Sequence, residues 1–145
     1  MDCDLVTKLL IKTLLVSMPL VLAATGCRSE ISRQALPFGV TDGPRSGETL
    51  RGTVEVRGWT LSEGGIRQVI VYVDRNYAAT ATLGTSRPDV AKAFPTFSHG
   101  ADAGWTASLD TGKFRAGTHE LVVQCTANNG ATRDLGDINV IFVKP

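Results

Sequence analysis

Residues 65–74 constrain this chain more than any other stretch. The run Gly65-Ile66-Arg67-Gln68-Val69-Ile70-Val71-Tyr72-Val73-Asp74 is dense in β-branched and aromatic side chains. Glycines precede it and Asp74-Arg75-Asn76 follows it, so it predicts a strand between two turns. Val69, Val71 and Val73 share one face at period two, while Ile70 and Tyr72 share the other. A strand apolar on both faces belongs inside a sheet, with strands on either side of it.

The rest of the chain after residue 37 supplies such partners. Phe38-Gly39-Val40-Thr41-Asp42-Gly43-Pro44 reads as a first, edge strand ended by a turn. Residues 50–59 alternate as a half-buried strand, with Leu50, Val54 and Val56 facing inward and Arg51, Thr53, Glu55, Arg57 and Trp59 outward. Ser62-Glu63-Gly64-Gly65 turns into residues 65–74, and Asp74-Arg75-Asn76 turns out, with Asn76 suited to a left-handed conformation. Residues 77–83 form a weaker, alanine-rich strand. Trp105, Ala107 and Leu109 are in phase in the next one, and Leu121, Val123 and Cys125 in the one after. Asn129-Gly130 signals a hairpin before a closing strand over residues 138–143. About seven strands at this spacing predict an antiparallel β-sandwich.

One connection is too long for a hairpin. Residues 84–104 contain Arg87-Pro88-Asp89-Val90-Ala91-Lys92-Ala93-Phe94, which reads as a short helix with Pro88 at its first position. Asp89 favours the positive end of that helix, and Pro95 stops it. Arg87 and Asp89 are expected to lock the connection, Arg87 on carbonyls or a carboxylate and Asp89 on backbone amides. Phe94 and Trp105 are expected to fill the end of the sandwich beneath it.

The N-terminus reads as an address. Lys8 and Lys12 precede an apolar run over residues 14–24. A transmembrane helix needs about 20 apolar residues, so this run fits a signal-peptide core instead. It ends in Ala24-Thr25-Gly26-Cys27, similar to a bacterial lipobox, which predicts a signal peptide over 1–26 and lipidation of Cys27. Residues 27–37 then form a polar tether. The alternative is a plain signal peptide cut among residues 23–26, which leaves a secreted or soluble periplasmic protein. Asp2 and Asp4 are out of place in a cationic leader and point to a translation start near Val6. Cys3 leaves with the leader and Cys27 is acylated, so Cys125 has no disulfide partner and is expected to behave as a small buried hydrophobe.

The remaining side chains define few sites. A net charge of +1 offers no footprint for nucleic acid. There is no Gly-x-Ser-x-Gly elbow, phosphate-binding loop or close carboxylate pair to support an enzyme. His119 is expected to be a buried, hydrogen-bonded histidine, and neither zinc nor calcium is expected: the second histidine, His99, is remote, and Asp42, Asp74, Asp89, Asp102 and Asp110 are scattered over turns. No cofactor is implied. Trp59 and Tyr77, with Phe97, remain as a ligand or partner surface. An aromatic face of this kind can stack on a sugar ring.

Taken together, Gly52, Val56-Arg57-Gly58-Trp59, Gly65-Ile66, Val71-Tyr72-Val73-Asp74, Arg87-Pro88-Asp89-Val90, Phe94-Pro95, Gly104-Trp105 and Gly117-Thr118-His119 form an order that resembles the bacterial immunoglobulin-like domains of secreted and surface-anchored proteins. The resemblance covers residues 38–145. It implies an all-β, immunoglobulin-like antiparallel β-sandwich with one long connection carrying a short helix. It also implies a spacer or adhesive role. The expected protein is a non-catalytic lipoprotein of the cell envelope, anchored in the membrane through its N-terminal lipid and binding an envelope protein. The alternative is a module that binds carbohydrate or peptidoglycan through exposed aromatics.

Overall fold

The computed structural model describes residues 35–144. The leader, Cys27 and most of the expected tether lie outside the described residues. The strands are β1 (Phe38–Gly43), β2 (Thr49–Arg51), β3 (Thr53–Leu61), β4 (Ile66–Val73), β5 (Asn76–Thr80), β6 (Thr82–Thr85), β7 (Gly104–Asp110), β8 (Gly117–Ala127) and β9 (Thr132–Val143), with one helix, α1 (Pro88–Ala93). They form a four-stranded sheet in the order β1-β3-β7-β6 and a five-stranded sheet in the order β2-β9-β8-β4-β5. The fold is the expected all-β sandwich. β1 is an edge strand, and β4 is flanked on both sides, by β8 and β5.

Among the described residues nine strands appear where about seven were expected, because two expected strands each divide between the sheets. The strand expected over residues 50–59 breaks at Gly52. β2 runs parallel to β9 in one sheet, and β3 joins β1 and β7 in the other. Gly52 makes the change at φ 68, in the left-handed region that glycine enters without steric cost. The strand expected over residues 77–83 breaks at Ala81, so that β5 pairs with β4 and β6 with β7. Alternation did not reveal either break. A chain that crosses between the sheets keeps its inward side chains inward and changes only its backbone partners. Two smaller expectations also shift. The left-handed residues of the β4–β5 hairpin are Asp74 (φ 49) and Arg75 (φ 66), not Asn76. This is a two-residue loop whose positive φ values match the strand twist. The final strand starts at Thr132, well before residue 138, because its polar first half still pairs with β8.

The core lies between the sheets. Val69, Val71 and Val73 of β4 and Leu121, Val123 and Cys125 of β8 meet Val56 of β3 and Trp105, Ala107 and Leu109 of β7. All of them are buried. Ile70 and Tyr72, on the outer face of β4, are only half-buried. Burial pushes the Cys125 thiol above its ordinary pKa, which keeps it in the unreactive protonated form. Each fully buried aliphatic side chain here contributes about 1.5–3 kcal/mol. Truncating Leu121 removes such a group and leaves a cavity under β4, so Leu121→Ala should cost about 2–5 kcal/mol in urea unfolding. A loss under about 1 kcal/mol would mean that the two sheets do not pack through this layer.

Candidate functional site

Trp59 points away from the main core, as its phase requires, yet it is only half-exposed. The long connection folds over the outer face of the four-stranded sheet at this end. There Leu61, Val90 and Ala103 are buried, with Phe38, Trp59, Phe94 and Phe97 packed against them. Phe38 is the hub. Its ring centroid lies 5.9 Å from Trp59, 5.2 Å from Phe94 and 5.4 Å from Phe97, each edge to face. Trp59 and Phe94 are 5.4 Å apart. Edge-to-face pairs of this kind add to the gain from burial. The connection is long because the sheet's outer face is apolar here and needs a cover.

This arrangement revises where the expected aromatic residues sit. Phe94 and Trp105 do not fill one space: Phe94 belongs to the outer cluster and Trp105 to the main core. Trp59 and Phe97 are engaged by their neighbours and present only part of each ring. Tyr77 is 63% exposed, but it stands on β5 in the other sheet, with its hydroxyl 3.1 Å from that of Thr80. Trp59, Tyr77 and Phe97 therefore do not form one platform. Phe38 is the member of the cluster that sequence reasoning missed. From the sequence it reads as an edge-strand residue, and its partners Trp59, Phe94 and Phe97 lie 21 or more residues away in the chain.

Backbone bonds and a charged fork hold the connection. The Arg87 amide donates to Ala101 O at 2.6 Å, and the Thr60 amide donates to Ala103 O at 3.0 Å. Arg87 Nε and Nη2 donate to the two carboxylate oxygens of Asp89 at 2.9 and 2.7 Å, while Nη1 reaches Asp42 Oδ2 on β1 at 2.7 Å. The Arg87 guanidinium holds the Asp89 carboxyl down at about 2, and the amides of Val90 and Asp89 add to that effect. Hydrogen bonding to Asp89 and Asp42 raises the pKa of Arg87 in turn. Asp89 is well exposed, so water screens the pair, and the fork mainly fixes geometry.

A cleft of about 310 Å³ opens beside the connection. Leu61 of β3, Ile66 of β4 and Leu83 of β6 line it, with His99, Asp102 and Asn128 from the surrounding loops. Asn128 is held in place by its side-chain amide, which donates to Gly64 O at 2.7 Å. Asp110, another of the scattered aspartates, accepts from the Gly112 amide at 3.0 Å. Among the described residues no three His, Cys, Asp or Glu side chains converge to hold a metal ion.

His119 lies at the other end of the sandwich, in a bonding arrangement of its own. Its ring stacks on Phe142 with centroids 4.5 Å apart. Nδ1 lies 2.6 Å from Asp74 Oδ2, and Nε2 lies 2.7 Å from the Arg115 carbonyl oxygen. A carboxylate and a carbonyl only accept, so the ring donates from both nitrogens and carries a charge. Asp74 Oδ1 also accepts from the Glu120 amide at 3.0 Å, tying the β4–β5 turn to the start of β8. No local spacing predicts this pair, whose members are 45 residues apart.

With this geometry in view, the comparisons with known proteins are direct. A family model described as a bacterial Ig domain matches residues 37–123. The chain belongs to that family. Among solved structures, the fibronectin(III)-like modules of CbhA from Clostridium thermocellum align at a TM-score of 0.52 and 14% identity, covering 75% of this chain and 47% of that one. The endo-beta-1,4-mannanase from Thermotoga petrophila aligns at a TM-score of 0.53 and 16% identity, covering 77% of this chain and 20% of that one. The chain thus spans about half the length of the first and a fifth of the second. At these identities the likeness is one of fold. No curated protein matches the sequence.

The Asp74–His119 pair predicts a pH dependence. Burial pulls the His119 pKa down, but the Asp74 bond, the Arg115 carbonyl and the Asp74 charge together lift it above its ordinary value. Its contribution to stability is therefore complete below about pH 6.5 and is lost as pH rises through the higher folded-state pKa. The His119 bond, more than any other cause, holds Asp74 below its ordinary value, so the contribution of Asp74 is lost only as pH falls through that lower folded-state pKa. The urea midpoint should decline above about pH 6.5 in the wild type and stay flat over that range in His119→Gln. A wild-type midpoint that is flat or rises there would contradict the pairing.

Proposed function

We propose that this protein is a non-catalytic interaction module of the bacterial cell envelope, held at a membrane through lipidated Cys27, and that it binds another envelope protein through the β6 edge and the adjoining connection. Membership of the bacterial Ig domain family supports an exported, surface-facing setting. The stretch Ala24-Thr25-Gly26-Cys27 supports the anchor. The observation that carries the reading is the state of β6. All four of its residues are exposed, among the described residues it pairs only with β7, and a cleft lies beside it. A sheet edge in this state offers unpaired amides and carbonyls to a partner.

The glycan reading has less support. Its aromatic residues are split between the two sheets, and Trp59 is partly covered by Phe38 and Phe94. A wider groove of about 780 Å³ at the other end is lined by Asp42, Arg45, Glu48, Glu55 and Arg57, a mixture of charges that favours no single ligand.

The test is photo-crosslinking in the cells that make the protein, with the crosslinker placed in turn at Leu83, Ser98, Tyr77 and Arg51. A discrete protein adduct at Leu83 or Ser98, and none at Arg51, is the expected outcome. Adducts at none of the four positions, together with a saturable tryptophan response to peptidoglycan fragments, would replace the protein partner with a glycan.

A further inference from the structure

The edges of the two sheets are protected unequally. On one side, β1 and β2 carry Asp42 and Arg51, with Pro44 and Glu48 between them. On the other side, residues 76–85 supply both edges in succession, β5 and then β6, and contain neither a charge nor a proline. Charged side chains and prolines are the usual means of preventing a foreign strand from adding to an edge. Tyr77 gives β5 a bulky exposed ring, whereas β6 presents only Thr82, Leu83, Gly84 and Thr85. The irregular pairing between Leu83 and Thr85 shortens the regular ladder, so main-chain bonds alone offer an added strand little. The neighbouring cleft supplies the rest. Its apolar side chains are Leu61, Ile66, Leu83 and Ala103, and its one carboxylate is Asp102. Asp102 is exposed, and its carboxylate has no partner among the described residues.

The geometry points to the β6 edge as a strand-addition site for an extended peptide segment of a partner protein, with an apolar side chain entering the cleft and a neighbouring lysine or arginine meeting Asp102. This rests on the interaction-module reading and names the chemistry of the partner. An added strand bonds through its main chain and directs alternate side chains to one face, so one of them reaches the cleft beside Leu83. At about 310 Å³ the cleft is at the small end for a ligand pocket and suits a side chain rather than a whole small molecule. A second copy is a poorer occupant. Pairing β6 with β6 joins four residues on each side, far short of the roughly 800 Å² per partner that a stable dimer buries. Arg87, the first cation after β6, is also already engaged by Asp42 and Asp89.

The experiment is selection of a phage-displayed library of random peptides on the protein, followed by binding of the enriched sequences as synthetic peptides. The enriched set should pair an apolar residue with a lysine or arginine within two positions. Asp102→Asn should weaken binding by about two- to fivefold, the scale of a solvent-exposed ion pair. Leu83→Lys should abolish binding, and the milder Leu83→Thr should weaken it; unchanged thermal melts will show that each variant is folded. N-methylation of alternate peptide amides should abolish binding in one phase and spare it in the other. The proposal is overturned by enrichment without a cation, by binding that survives Leu83→Lys or N-methylation in both phases, by no enrichment at all, or by self-association that Leu83→Lys disrupts. The last outcome would assign the edge to a second copy. A partner crosslinked in cells whose binding survives Leu83→Lys would leave the interaction-module reading standing and remove this one. Failure to capture any partner would remove both.

Discussion

Trp105 occupies the space that a side chain at position 58 would need, and much of the four-stranded sheet follows from that fit. The two residues are register partners on β3 and β7. A Cβ on Gly58 would lie 2.6 Å from the indole ring and closer still to the Val40 carbonyl oxygen on β1. Glycine at this position therefore lets three strands close on one another while the largest side chain of the core is fully buried between the sheets. With Trp105 in place, the inward phase of β3 is set through Val56, Gly58 and Thr60. The opposite phase carries Trp59 and Leu61 to the outer face.

That outer phase explains the long connection. Two large apolar residues on the outer face of a sheet would normally meet water. Here the connection returns over them with Val90, Phe94 and Phe97, and Phe38 closes the cluster from β1. The Arg87 fork to Asp42 and Asp89 then fixes where the helix begins. As a result one end of the sandwich has a hydrogen-bonded loop packed on it, with β6 exposed beside that loop and a cleft between them. The functional reading depends on this cover as much as on the sandwich itself.

Side-chain phase was legible in the sequence, and backbone partnership was not. The inward sets of β4, β7 and β8 follow from alternation, while the edge strand of Phe38 and the helix behind Pro88 follow from proline and turn signals. The sheet changes at Gly52 and Ala81 leave no mark on alternation, because inward residues stay inward across them. Alternation places Trp59 off the main core, but its partial burial depends on Phe94, thirty-five residues later in the chain, and on Phe38. The Asp74–His119 pair joins a turn to a strand start through a fold that neither local sequence specifies. For the candidate site, Thr82 and Leu83 read as the tail of a weak strand and Gly84 and Thr85 as the start of the long connection. Only the sheet order shows that they form an unprotected edge.

The central claim is that the connection is a packed and fixed part of the domain, which makes the cleft beside β6 a preformed surface. Amide hydrogen exchange tests it most directly. The amides of Arg87, Val90 and Phe94 are bonded to Ala101, Arg87 and Val90 respectively, so all three should exchange far more slowly than free peptide, close to the rates of β3 and β7. Exchange of these three at unprotected rates, with the strands still protected, would show a loose connection over an intact sandwich and would contradict the account.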